Sequence, residues 1–220
     1  AAFGLIRDQA EHLVLGEFSA KFAAVTAGAP FLAGPVVCRA EPGSAPAFTA
    51  AVGADAYAWP QNETSTGVAI PVARVAAADP GAIMLVDATS AAGGMAVDVG
   101  QVDAYYFAPQ KAFAGEAGLW LALLSPAALD RIAELGAARW QPPSLDLGLA
   151  VQNSRRDRSP APLLLQLTEH RKVENLCGHS HAGQNRCGVG LSGEAADHVR
   201  VCWDSWAGLP GEPAGGSAGR

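Results

Sequence analysis

The sequence is short of charge, of basic residues and of long apolar runs. Only 16% of its 220 residues are charged, and 15 Lys+Arg stand against 21 Asp+Glu, for a net charge of −6. Without a basic excess the chain is not expected to bind the phosphate backbone of a nucleic acid. No apolar run reaches the roughly 18–20 residues of a membrane span, and AAFGLIRDQA at the start lacks the basic head and apolar centre of a signal peptide. Four cysteines in this length do not make a disulfide framework. What is abundant is apolar surface: half the residues are hydrophobic, enough to bury a core. These features predict a soluble, cytoplasmic globular protein.

Composition divides the chain. Residues 1–150 carry seven Lys+Arg and fourteen Asp+Glu, whereas residues 151–220 carry eight and seven and hold Cys177, Cys187, Cys202 and four of the five histidines. The end, GLPGEPAGGSAGR, reads as a flexible tail.

The first part alternates strand-like and helix-like segments. HLVLG (12–16), VVCRAE (36–41), ADAYAWP (54–60), GAIMLVDATS (81–90), VDAYYFAPQK (102–111) and LWLALLS (119–125) read as strands. EFSAKFAAVT (17–26) has helical spacing, and SPAALDRIAEL (125–135) reads as a helix with Ser125 as N-cap and Pro126 at its first position. Continuous apolar strands between helices predict an α/β fold with a mostly parallel sheet covered on both faces. In such sheets ligands bind beyond the carboxyl ends of the strands. Three polar markers fall there: the turn NETSTG, Asp87, and Gln110-Lys111.

Lys111 is one of only three lysines and follows an aromatic strand. The position predicts a partly buried amine with a lowered pKa, a nucleophile for carbonyls or pyridoxal phosphate; the alternative is a solvated loop lysine. Asp87 is either the N-cap of ATSAAGG or a carboxylate for a cation such as a pyridinium nitrogen. NETSTG is either a strand-to-helix connection with Ser or Thr caps or a set of hydrogen-bonders for a polar ligand. Phe18 is either core or a ring that stacks on a cofactor.

The stretches HLVLGEFSAKFA, NETSTGVAIP, VDATSAAGG, DAYYFAPQKAFAGEAGLWLA and SPAALDRI resemble phosphoserine aminotransferase over residues 1 to about 156. The resemblance implies the large domain of a fold-type I pyridoxal phosphate enzyme, a homodimer with its active sites at the dimer interface. It implies amino transfer from glutamate to 3-phosphohydroxypyruvate in serine synthesis. By the same resemblance Lys111 holds the cofactor and shuttles the proton, and Asp87 meets the pyridinium nitrogen. Thr64 bonds the phenolic oxygen, Gln110 contacts the cofactor phosphate, and Phe18 lies on the pyridine face. Other fold-type I enzymes, of the alanine–glyoxylate transaminase or cysteine desulfurase kind, are the first alternative; a non-catalytic fragment is the second.

The match opens inside the family's pattern, without the glycine-threonine phosphate loop and the basic substrate residues that precede it. It fails again near residue 155, where RSPAPLLLQL stands in place of an Asn-Thr-Pro element. The expectation is therefore a partial large domain over 1–156, inactive by itself, followed by a non-matching segment, 157–220, that is disordered or read out of frame. Within it Cys177, His179, His181 and Cys187 give C-x-H-x-H-x5-C. These are plausible zinc ligand types at a spacing unlike the common fingers, and no metal is expected.

Overall fold

The computed structural model describes residues 1–116 and 118–155, and the strand segments 163–166, 173–176 and 188–191. Strands β1 (Ala10–Val14), β2 (Val36–Arg39) and β3 (Ala56–Pro60) are followed by the short pair β4 (Asn62–Glu63) and β5 (Val68–Ala69). Then come β6 (Ile83–Asp87), β7 (Ala104–Phe107) and β8 (Leu121–Leu124). Helix α1 (Glu17–Ala27) joins β1 to β2; α2 (Pro126–Ala138) and α3 (Leu147–Arg155) follow β8. The main sheet has the order β2-β1-β3-β6-β7-β8, extended by β9 (Leu163–Gln166). Every neighbouring pair is parallel except β7–β8.

The apolar runs form strands because both faces of the sheet are buried. In β3, Tyr57 and Trp59 point into one cluster with Met84, Val86, Tyr105 and Phe107. Ala56 and Ala58 point into the other, with Leu85, Ala104, Leu124 and Ile132. All three helices lie on the second face, through Phe22, Leu129 and Val151 among others. Among the described residues the first face is covered by extended segments carrying Phe48, Ile70, Val72 and Val75 and by a 3-10 turn carrying Val99, not by α-helices. Burial on both sides needs only apolar contact, which an extended segment supplies as well as a helix.

Three local readings change. NETSTG begins a β-hairpin, β4–β5, and does not lead into a helix. The segment after Asp87 is a chain of turns. Helix α3, with the sequence LGLAVQNSR, was not anticipated. Ser125 does cap α2, its Oγ accepting from Ala128 N at 3.1 Å, with Pro126 next. In the segment expected not to pack, β9 pairs parallel to β8, and β10 (Val173–Leu176) pairs antiparallel with β11 (Gly188–Leu191). Cys177, His179, His181, Cys187 and Cys202 lie outside the described residues.

The edge holding the amino ends of the parallel strands is fastened by ions. Asp55, just before β3, accepts from the backbone N–H groups of Arg7, Asp8 and Gln9 at 2.6–2.8 Å and from Arg131 Nη1 at 2.7 Å. Arg131 also donates to the carbonyls of Leu5 and Gly81. Asp103, just before β7, accepts from Met84 N, Arg74 Nη2 and Ser125 Oγ at 2.8–2.9 Å. These carboxylates lock chain segments together and have little capacity left for a ligand.

One core residue makes the fold sensitive to acid. His12, in the middle of β1, is buried against the edge of Phe22, with 4.8 Å between ring centroids. Its Nε2 has no hydrogen-bond partner. Burial disfavours the charged ring and lowers its pKa from 6.5 to about 4. The unfolded chain therefore takes up a proton first as pH falls. The stability is whole above pH 6.5 and is lost between 6.5 and about 4, at a total of roughly 3 kcal/mol. The buried Glu11 behaves alike at lower pH. Burial pushes its pKa up, but hydrogen bonds from Ala51 N, Thr49 and Cys38 more than offset this and hold it below 4.5. His12→Leu should flatten the urea midpoint between pH 6.5 and 4 and leave the steeper loss below pH 4.5. An unchanged slope in the upper window would show that His12 does not cause it.

Candidate active site

Strands β1, β3, β6 and β7 are parallel neighbours, so their carboxyl ends share one edge. The chain leaves β1 toward β2 on one side and continues with β3 on the other, which makes a topological switch point there. Phe18 follows β1, Thr64 follows β3, Asp87 ends β6, and Gln110-Lys111 follows β7. The structure thus brings all five sequence-predicted residues to one edge.

At the β1 end the first turn of α1 is tied to the β4–β5 hairpin. Glu63 is fully buried and accepts from Phe18 N (3.4 Å), Ser19 N (2.8 Å), Ser19 Oγ (2.8 Å), Ser65 N (3.3 Å) and Ser65 Oγ (2.6 Å). Ser65 Oγ in turn accepts from Glu17 N at 2.9 Å, and Thr66 Oγ1 donates to the Leu15 carbonyl. Three amides that α1 could not pair internally are thereby used. Gly16 makes this close approach possible, because a Cβ there would overlap Ser65 Oγ and the Glu63 side chain. Burial pushes the Glu63 pKa up, but the hydrogen bonds from Ser65, Ser19 and Phe18 outweigh it and leave the group below its ordinary value, ionised at neutral pH.

Asn62 donates to Ser90 Oγ at 3.0 Å, so the side chains of Asn62, Glu63, Ser65 and Thr66 are all engaged. Thr64 is exposed and is the one side chain of that run with no hydrogen bond among the described residues. Phe18 is 51% exposed, which rules out the core reading; Lys21 Nζ lies 5.6 Å from its ring centroid.

Asp87 caps a turn, not a helix. Its Oδ1 accepts from Thr89 N at 2.9 Å and stabilises the turn. Its Oδ2 has no partner among the described residues, and the side chain is only half-buried, so one oxygen is left for a ligand. The Asp87 charge and, more strongly, burial hold the adjacent Tyr106 phenol well above its usual pKa, so it stays neutral.

The loop after β7 is held by its apolar residues. Phe113 stacks on Phe107 with 5.4 Å between centroids and covers Gly93, whose φ of 83° and missing Cβ both suit the contact. Gly115 N donates to the Pro109 carbonyl at 2.9 Å. Gln110 and Lys111 are left on the outside of this turn, and both are exposed. Partial burial of Lys111 is therefore not observed. The buried part of the strand stops at Phe107 and Pro109, and the lysine lies two residues further along a turn that points to water. Its amine makes no ion pair among the described residues.

Glu63 is the functional-edge residue that its sequence neighbourhood did not single out. The only available signal was a carboxylate inside a run of hydroxyls. A cavity of about 400 Å³ lies between α2 and α3, and one of about 370 Å³ lies beside β5, lined in part by Gln61 just after β3. No group of three or more metal-ligating side chains occurs among the described residues, and no described helix is long and apolar enough to cross a membrane.

Residues 53–156 match the family described as Aminotransferase class-V. A protein of Mycobacterium sp. (strain KMS), named provisionally as a phosphoserine aminotransferase, is 55% identical over 161 residues, covering 72% of this chain and 43% of that protein. The phosphoserine aminotransferase of Rhodococcus opacus (strain B4) is 52% identical over 160 residues, with the same coverage. The crystal structure of a phosphoserine aminotransferase from Cytophaga hutchinsonii superposes with a TM-score of 0.60 at 23% identity, covering 72% of this chain and 45% of that one. The described residues thus share the fold of that structure over the covered part, a mostly parallel sheet with α-helices packed on one face. The chain spans about 43% of the length of the curated relatives it matches.

Proposed function

We propose that residues 1–156 are part of the cofactor-binding large domain of a phosphoserine transaminase. The reaction moves an amino group between glutamate and 3-phosphohydroxypyruvate with pyridoxal 5'-phosphate. The observation that carries this reading is the selective freedom of one sheet edge. At the carboxyl ends of β1, β3, β6 and β7 most polar groups are spent on structure. The Phe18 ring, the Thr64 hydroxyl, Asp87 Oδ2 and the Lys111 amine are not. Identity of 52–55% to phosphoserine aminotransferases supports this substrate pair.

These groups fit pyridoxal phosphate. When bound, the cofactor supplies an electron sink for the substrate's α-carbon. Asp87 Oδ2 would accept from a protonated ring nitrogen and keep it protonated. By the resemblance, the Thr64 hydroxyl, the Phe18 ring and the Gln110 amide would hold the cofactor through its phenolic oxygen, its pyridine face and its phosphate. Lys111 Nζ would hold the cofactor and serve as the base for the α-proton. The Ala114 and Gly115 bonds back to Lys111 and Pro109 keep the short loop that carries this amine folded. A cytoplasmic homodimer belongs to the same proposal.

Asp87→Asn separates the two duties of that residue. Asparagine keeps an acceptor for Thr89 N, so the urea midpoint should stay near wild type. Loss of a charge-assisted hydrogen bond, about 1.5–3 kcal/mol, should weaken pyridoxal phosphate binding ~10–100-fold. Titration by cofactor absorbance measures the affinity. Equal affinity in the mutant would leave Asp87 with the turn alone.

A further inference from the structure

From the buried network at the start of α1, we infer that Glu63 is a positioning residue that couples Phe18 to Thr64, so that the ring and the hydroxyl reach the cofactor as one preassembled unit. The inference rests on the proposed pyridoxal phosphate site and assigns a role to a residue beyond it.

The geometry is specific. Phe18 and Thr64 lie on different elements, 46 positions apart in the chain. Each is exposed, and no described hydrogen bond holds either side chain. The Phe18 N–H is held by the Glu63 carboxylate, and Thr64 is flanked by Glu63 itself and by Ser65, whose N–H and hydroxyl bond the same carboxylate. Glu63 Oε1 receives Phe18 N and the Ser65 hydroxyl; Oε2 receives Ser19 N and the Ser19 hydroxyl. Thr64 sits between Glu63 and Ser65, so its hydroxyl moves with that grip. Ser65 adds a second tie through Glu17 N, and the absent Cβ of Gly16 lets the hairpin close on the helix.

The energetics explain why an ion suits this place. Five donors converge on one side chain, and a carboxylate is the only side chain that accepts at both ends without presenting a donor. A carboxylate at a helix start is also favoured by the helix dipole. Glutamine would turn an N–H₂ toward one of the amides, Phe18 N or Ser19 N, and leave that amide unsatisfied. The expected consequence is local: the hairpin and the first turn of α1 separate, and the preorganisation of ring and hydroxyl is lost.

The test uses the full chain, with Glu63→Gln and, as a milder second variant, Ser65→Ala. Amide hydrogen exchange at residues 17–19 needs no cofactor. It should rise at least ten-fold in Glu63→Gln and less in Ser65→Ala. Pyridoxal phosphate titrated into the same samples should bind about ten-fold more weakly to Glu63→Gln and about three-fold more weakly to Ser65→Ala. The decisive readout is coupling. Phe18→Leu and Thr64→Val should be non-additive with each other in the wild-type background and additive in Glu63→Gln. A purely structural Glu63 would lower stability and leave that coupling unchanged, which would overturn the inference. So would faster exchange with unchanged cofactor affinity. In both cases covalent labelling of Lys111 would persist and the proposed function would stand, whereas absence of that label from the wild-type chain would overturn both.

Discussion

Lys111→Ala should remove covalent attachment of pyridoxal phosphate from this chain and, in a form of the protein as long as its relatives, lower transamination by at least the 10²–10⁴-fold expected for loss of a positioned acid–base group. The physical basis is the isolation of this amine. It is exposed, free of ion pairs among the described residues, and carried by a loop that Phe113 and Pro109 pin to the carboxyl edge beside Asp87. Lys21, the other lysine at this edge, pairs with Glu17 at 3.2 Å and lies over the Phe18 ring. Lys172 lies outside the described residues. Borohydride treatment of the cofactor-loaded chain followed by peptide mapping should put the label on the peptide containing Lys111. Lys111→Arg should fail as badly as alanine, because it keeps the charge but lacks a usable amine nucleophile. A label concentrated on Lys21 or Lys172, or a Lys111→Ala protein that turns over at the wild-type rate, would sink the assignment.

Asp55→Ala should destabilise the fold by about 3–5 kcal/mol, the usual cost of stranding a buried ion. Set against a typical domain stability of about 5–15 kcal/mol, that is a large fraction of the whole. The side chains of Arg131 and Asp55 are 3% and 13% exposed, and their contact is 2.7 Å. Removing the carboxylate leaves the Arg131 guanidinium with only two carbonyls and frees the amides of Arg7, Asp8 and Gln9. The nearby pair Arg7–Glu134 is a control. It is as short, at 2.6 Å, but 47% and 48% exposed. Water screens it, so Glu134→Ala should cost no more than about 1 kcal/mol. Urea unfolding of both variants measures the contrast. Equal losses would mean that burial does not set the strength of these pairs.

The strands were legible because a segment buried on both faces must be apolar throughout, and that requirement is written into contiguous residues. GAIMLVD and VDAYYF yielded β6 and β7 to within a few residues, and SPAALDRI yielded α2 with its cap. Asp87, Gln110 and Lys111 stood out because a polar residue directly after an apolar strand is placed at a sheet edge by chain geometry alone. The family resemblance singled out Thr64 within NETSTG and favoured the stacking reading of Phe18 over the core one.

What periodicity left undecided depends on partners far away in the chain. The antiparallel direction of β8 and the placement of all three described helices on one face follow from how the segments stack. The hydroxyl in NETSTG that stays free was decided by Leu15, Glu17, Phe18 and Ser19, which use up the rest of that run's hydrogen bonds except for Asn62. The exposure of Lys111 was decided by where Phe113 found a glycine to rest on. Local sequence determined which residues would form strands and which polar groups would end them. Tertiary structure decided which of those groups are spent on the fold and which remain for a ligand, because hydrogen bonding and burial are settled between elements and not within them.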